Sequence, residues 1–300
     1  MRSSAYDNST HKPNLLHYIW SCFFIFFLSG SVFAQSNAVV HFTYQNSSTI
    51  LKKSTYKNYV RDLPAFSIFG DNYFITGTTT HSDAFTATGS DAKFEIGFKQ
   101  RLYNKDLPLD VIPFVTYRQK AFWNIYQDSF PFRETNYNPT LGFTKLFFKG
   151  EAFSYSLHLA FEHESNGRDG MESRSWNFFS LAYYKPINEN LNFRAKAWLP
   201  VGDLRDNEDI ISYRGYFNFG ITCRASRNLF VELDVQPAYD NELTGNVKAG
   251  LSYKISKNSN QYIYLQYFGG YSEDLIQYNN SVSNIRIGVV FKDLPFKISN

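Results

Sequence analysis

The segment "KFEIGFKQRLY", Lys93 to Tyr103, alternates along its length: Phe94, Ile96, Phe98 and Leu102 share one face, and Lys93, Glu95, Gly97, Lys99 and Arg101 share the other. A period of two is the repeat of an extended strand whose faces meet different surroundings. The pattern recurs down the chain. "ISYRGYFNFGITCR" sets Ile211, Tyr213, Phe217, Phe219 and Ile221 against Arg214, Asn218, Thr222 and Arg224. "LFVELDVQPAY" opposes Leu229, Val231, Leu233 and Val235 to Glu232, Asp234 and Gln236, and "IRIGVVF" supplies Ile285, Ile287, Val289 and Phe291.

Segmenting on this repeat predicts twelve strands, near 73–80, 93–103, 110–123, 135–147, 152–165, 173–185, 190–201, 210–224, 228–239, 246–256, 260–271 and 283–292. Most reach the length of about ten residues that a tilted strand needs to cross a bilayer, about twice the mean of soluble sheets. Short links such as "FKGE", "PINEN" and "ASRN" alternate with longer ones around 81–92, 124–134, 201–209 and 272–282, as the inner turns and outer loops of an outer-membrane barrel do. Hydrocarbon leaves no water to satisfy an open strand edge, so such a sheet must close. The expected fold is all-β, a twelve-stranded antiparallel transmembrane barrel over residues 66–300. A secreted sandwich or soluble barrel is the competing reading of the same pattern.

The first residues are different. Arg2, His11 and Lys12 precede the apolar run "LLHYIWSCFFIFFLSG", and "SVFA" follows with residues a signal peptidase accepts. Residues 1–34 read as a signal peptide cleaved after Ala34, with an uncleaved anchor as the alternative. Residues 35–65 lack clear alternation and read as a periplasmic lead-in. Loss of the signal removes Cys22 and leaves Cys223 alone, so no intramolecular disulfide is expected. The net charge of +3 is small and dispersed, which argues against a nucleic-acid partner.

One stretch breaks the apolar rule. Counting in twos from Phe153 through Tyr155, Leu157, Leu159 and Phe161 reaches His163 and then Ser165, so both fall on the outer, greasy face. Ser154, Ser156, His158, Glu162 and Glu164 point to the lumen. On the returning strand Asn177 shares the face of Phe179, Leu181 and Tyr183. If the hairpin turns around Asp169–Gly170, His163 faces Asn177, with Cβ atoms about 5 Å apart. Ser165 lies two positions along, its Cα about 6.6–7 Å from that of His163. Nucleophile, base and orienting group have this arrangement in hydrolases. An Asn carbonyl orients an imidazole without the cost of a carboxylate at a membrane face. The residues alone equally fit three polar groups resting in the interfacial zone.

"HESNGRDGMESRSWN", His163 to Asn177, resembles the active-site signature of the outer-membrane phospholipase A family. "YRQKAFWN", "FPFRETNYNP", "NIRIGVVFKDLPF" and "FSIFGDNYFITG" are similar to other blocks of that family, so the resemblance touches most of residues 66–296. It implies a calcium-dependent phospholipase A1/A2 of the Gram-negative outer membrane, acting on phospholipids and lysophospholipids and active as a homodimer. Carried over by position, Ser165 is the nucleophile, His163 the general base and Asn177 its orienting partner. The Gly167 N–H helps hold the oxyanion. Calcium (Ca2+) ligands are the Arg168 carbonyl, the Ser173 hydroxyl and, from the other subunit, Ser129; Gln119 matches a residue of the dimer interface. The chain departs from the pattern at Phe178, where a basic residue usually stands, and in the spacer "RDGME". Phe178 should face the lumen. Arg133, Glu134, Asn136 and Tyr137 read as polar ties of loop and lumen. A passive pore or a catalytically inactive structural barrel is the alternative function.

Overall fold

A computed structural model describes residues 64–103, 108–150, 152–256 and 260–293. The expected signal peptide and nearly all of the expected lead-in lie outside the described residues.

Twelve antiparallel strands form the wall: β1 Asn72–Thr79, β2 Ser90–Arg101, β3 Val111–Trp123, β4 Phe132–Lys149, β5 Ala152–Ser165, β6 Ser175–Pro186, β7 Leu191–Val201, β8 Phe217–Arg224, β9 Leu229–Gln236, β10 Asn246–Lys254, β11 Gln261–Gly270 and β12 Val282–Phe291. Each pairs with its sequence neighbours, and β12 pairs back onto β1, Asn284 opposite Thr79 and Phe291 opposite Asn72. The twelve strands thus close into a barrel. A short strand, Phe66–Ile68, runs along β2 below β1, so it continues β1 across the interruption at Gly70–Asp71.

The two faces differ as the alternation requires. On β12 Ile285 and Ile287 are exposed while Arg286, between them, is 3% exposed. On β11 Ile263 and Tyr267 face outward, while Tyr262, Tyr264 and Gln266 are buried in the barrel. At one end of the interior Tyr73, Ile75, Phe230, Tyr262, Tyr264 and Val290 pack together; at the other, Trp176, Phe178, Trp198, Ile210, Leu275 and Tyr278 do. Buried ionic groups share the interior with these clusters. Lys93 Nζ donates to Gln266 and Glu273, Arg286 holds Asp91 and Glu273, and Lys292 holds Asp71 and Glu232. Every one of these charges is paired, as burial demands.

The expected strand over 210–224 is corrected. Only 217–224 is extended; Ile210–Arg214 is a short helix in the outer loop between β7 and β8. Four alternating residues also describe a single helical turn, and the periodicity of so short a run cannot separate the two. Tertiary packing decides: Ile210 is fully buried against the Trp176 and Trp198 cluster. Gly215 ends the turn at φ +59°, where any Cβ would meet Pro237 O at 2.0 Å. The loop between β9 and β10 also carries a small ladder, Tyr239–Asp240 with Glu242–Leu243, that the repeat did not indicate.

Candidate active site

β5 and β6 pair in the register expected from the sequence: His163 is opposite Asn177, and Ser165 opposite Ser175. Leu159, Phe161, Phe179 and Leu181 are exposed on the outer wall, whereas Glu162, Glu164, Trp176 and Phe178 are buried inside. His163, Ser165 and Asn177 continue the outer row and are half-buried. They sit near the end of the strands from which the longer loops emerge.

His163 Nδ1 lies 2.9 Å from Asn177 Oδ1. An amide oxygen can only accept, so Nδ1 donates, and in the neutral ring Nε2 is the nitrogen left with a lone pair. The backbone of His163 is held as well, its carbonyl accepting from Asn138 Nδ2 at 2.9 Å. No hydrogen bond joins Ser165 Oγ to His163 among the described residues. The two side chains share a strand face two positions apart, and rotation of the serine about χ1 is the motion available to close the gap. Catalytic hydrogen bonds are commonly long without substrate.

Asn166 shapes the loop that follows. Its side-chain oxygen accepts from the N–H of Arg174 at 3.0 Å and of Arg168 at 3.3 Å, and its Nδ2 donates to Glu172 O at 2.8 Å. Sequence reading passed over this residue, although a buried Asn with both ends satisfied is a common loop organiser. Gly167 stands at φ +69°, and a Cβ there would lie 3.0 Å from the Tyr137 ring. The position therefore needs glycine. Its N–H is taken by no acceptor among the described residues.

Arg168 and Ser173 both lie on this loop. The Arg168 guanidinium bonds to Glu172 and to the Arg133 carbonyl and sits 3.4 Å from Glu134. Ser173 Oγ donates to Asp206 Oδ2 at 2.7 Å, and Asn207 Oδ1 accepts from Ser175 N at 2.9 Å. The acid-rich run "GDLRDNED", Gly202 to Asp209, thus folds beside the candidate metal ligands. Its acidity was the visible signal, but nothing in a period-two reading says where a loop goes. A peptide carbonyl, a hydroxyl and a carboxylate are hard oxygen donors of the kind calcium takes. No cluster of three His, Cys, Asp or Glu suited to a metal occurs among the described residues. Ser129 is on a different loop, between β3 and β4, exposed and at φ +65°. Gln119 faces outward on β3, between Ile96 and Tyr137 of the adjoining strands, and accepts from Tyr117 OH at 2.9 Å.

Arg133, Glu134 and Asn136 tie the outer loop between β11 and β12 into the mouth, whereas Tyr137, expected with them, stands opposite Gln119 and Ser165 on the outer face. Arg133 bonds to Asp274, Glu134 accepts from Ile276 N, and Asn136 accepts from Leu275 N. Phe178 faces the lumen as expected, stacked on Trp176 with ring centres 4.1 Å apart.

Fold and wall geometry define a membrane barrel that carries a His-Asn pair, with a serine beside it, on its outer surface. The sequence model of the phospholipase A1 family matches residues 42–291, and the chain belongs to that family. Phospholipase A1 of Escherichia coli strain K12 is 34% identical over 219 residues, covering 70% of this chain and 73% of the relative. The putative phospholipase A1 of Neisseria meningitidis serogroup B is 28% identical over 229 residues, covering 73% and 59%. Among solved structures, outer membrane phospholipase A from Escherichia coli superposes with a TM-score of 0.68 at 28% identity, covering 77% of this chain and 94% of that one. The outer membrane phospholipase dimer of Salmonella typhi with bound calcium gives 0.69 at 26% identity, covering 82% and 99%. The chain is an outer-membrane phospholipase of a Gram-negative bacterium.

Proposed function

We propose that the protein hydrolyses acyl esters of phospholipids and lysophospholipids with Ser165, His163 and Asn177, in a calcium-dependent reaction switched on by dimerisation. The observation that carries this reading is the 2.9 Å contact of His163 Nδ1 with Asn177 Oδ1 on the lipid-facing wall, with Ser165 next on the same face. As Ser165 Oγ attacks the ester carbonyl, its proton passes to His163 Nε2 and a C–O bond forms. The tetrahedral oxyanion is met by the Gly167 N–H. Collapse breaks the bond to the glycerol oxygen, which takes the proton from His163. Water then repeats the sequence on the acyl-serine and releases the fatty acid. Asn177 keeps the imidazole in the required tautomer throughout, at a place where a carboxylate would be costly.

The Arg168 carbonyl and the Ser173 hydroxyl, with Ser129 of the partner subunit, would hold the calcium ion, which when bound would supply electrostatic stabilisation of developing negative charge. Outer-wall pairing through the face that carries Gln119 makes the homodimer, which is why activity follows association. Residues 1–34 serve as the export signal and 35–65 as a periplasmic lead-in. A passive pore is disfavoured by the paired charges and aromatic clusters that occupy the barrel interior.

The test is Ser165→Ala, assayed for fatty-acid release from phospholipid micelles with calcium and with a chelator. The expected result is loss of at least about a thousandfold in rate, with heat-modifiable migration of the folded barrel unchanged. Hydrolysis at the original rate would remove Ser165 as nucleophile.

A further inference from the structure

His163 and Ser165 are separated by one residue, Glu164, and Ser175 and Asn177 by one residue, Trp176. Those two are themselves paired across the strands, on the inner face. Whatever holds Glu164 to Trp176 therefore holds, through one pleat of backbone, the outer row on which the proposed triad stands.

The hold is specific. Glu164 Oε2 accepts from Trp176 Nε1 at 3.0 Å and from Arg214 Nη1 at 2.7 Å, and Glu164 Oε1 accepts from Arg214 Nη2 at 3.2 Å. Two guanidinium nitrogens thus meet two carboxylate oxygens, a fork that fixes direction as well as distance. The guanidinium carbon also lies 5.7 Å from the Trp176 ring centre. Arg214 is firmly based: it ends the Ile210–Arg214 helix, whose Ile210 is fully buried, and its carbonyl accepts from Gln236 Nε2 of β9 at 3.0 Å. From β3 and β4, Arg118, Lys120, Asn136 and Asn138, with Glu95 of β2, face Glu164 across a cavity of 30 Å³.

A mouth that needed only filling could use apolar side chains here, as it does at Phe178 and Trp198. A buried ion pair adds little net stability over such packing; its best-attested use is to fix one arrangement among several. We infer that Glu164, Trp176 and Arg214 form a clamp inside the barrel that positions His163, Ser165 and Asn177 on its outside. They are positioning residues, for none faces the lipid. The inference rests on the proposed triad.

The experiment compares Arg214→Gln, Arg214→Lys and Glu164→Gln with the full-length protein in calcium-containing detergent micelles, scoring only the fraction that migrates as folded barrel. Misplacement of reacting groups lowers kcat, so kcat should fall about ten- to a hundredfold with KM within about twofold. Arg214→Lys, which keeps the charge and loses the fork, should fall between Arg214→Gln and the unaltered protein. The acid limb of the kcat profile reports whether the effect reaches the imidazole. Arg214→Gln removes one positive charge beside Glu164, leaving Arg118 and Lys120 across the cavity, and should move that limb to higher pH; Glu164→Gln removes the negative charge and should move it lower, each by about a few tenths of a unit. General loosening of the barrel predicts shifts of one sign or none. The clamp is overturned by folded Arg214→Gln protein with unaltered kcat, or by limb shifts that are absent or share a sign. If Arg214→Gln yields no folded barrel, Arg214→Lys and Glu164→Gln carry the same two readouts. Ser165→Ala is run in parallel: an active Ser165→Ala protein removes the triad itself, whereas an inactive one beside a normal Arg214→Gln protein removes only the clamp.

Discussion

Ser173 and Asp206 meet across two outer loops, the serine hydroxyl donating to the carboxylate at 2.7 Å. A hydroxyl that donates in this direction turns its lone pairs away from the aspartate, and both oxygens remain near any cation held at the loop. Calcium titration of activity should therefore respond to both residues. Ser173→Ala removes a proposed ligand, and Asp206→Asn removes a full negative charge beside it. Each should raise the calcium concentration at half-maximal rate by about tenfold or more, with the maximal rate of Asp206→Asn largely restored at saturating calcium. Unaltered calcium dependence in both would place the metal elsewhere.

Asn177 contributes orientation without charge, so its loss should be milder than loss of the nucleophile. In Asn177→Ala the imidazole loses its tautomeric and rotational preference, and kcat should fall about ten- to a hundredfold. Ser165→Ala should fall far further. The measurement is initial rate on a short-chain ester below its micellar concentration, which separates chemistry from lipid access. Equal losses in the two variants would mean that Asn177 acts in more than orienting.

The outer wall away from the site faces lipid along its middle. Leu233, near the centre of β9, is 42% exposed there and neighbours Ile221 and Ala249 on the flanking strands. Leu233→Arg should destabilise the barrel in vesicles by about 2–4 kcal/mol, the depth-dependent cost of a cation at the hydrocarbon centre. Leu233→Phe should leave it nearly unaltered. Guanidinium unfolding reversed into lipid vesicles reads both, and an unaffected Leu233→Arg protein would contradict a lipid-facing position.

What the sequence made legible follows from what carries a period. Lipid on one side and water or ion pairs on the other write the repeat of two into every crossing strand, and a one-residue slip would invert both faces. The register of β5 on β6 was readable for that reason, and with it the approach of His163 to Asn177. The helix at Ile210–Arg214 was not readable, because its four alternating residues satisfy both periods and only the Trp176 cluster it covers distinguishes them. Nor were Asp206 and Arg214 readable as neighbours of the site. They reach it from a loop, and loop courses are settled by contacts between segments distant in sequence, here 33 residues from Ser173 and 50 from Glu164.

The loop between β11 and β12 supplies a pH test of the barrel. Glu273 dips from this loop between Lys93 at 3.0 Å and Arg286 at 2.6 Å, and also accepts from Asn284 at 2.8 Å. Burial by itself raises the Glu273 carboxyl, but Arg286 and Lys93 outweigh it and hold the group well below the usual carboxylate range. A carboxyl lowered in the folded state favours folding when ionised. That stability is fully present above the ordinary glutamate value of about 4.3 and is lost as pH falls from there through the lowered folded-state value. Folded barrel in detergent should therefore lose stability progressively below about pH 5, read as a falling urea midpoint. Glu273→Gln leaves Lys93 without its carboxylate and Arg286 with Asp91 alone, so at pH 7 it should be less stable by about 3 kcal/mol. It should also lose less on acidification, because the group whose ionisation drives the slope is gone. Parallel pH dependences in the two proteins would assign the acid sensitivity to other carboxylates and leave Glu273 a structural plug.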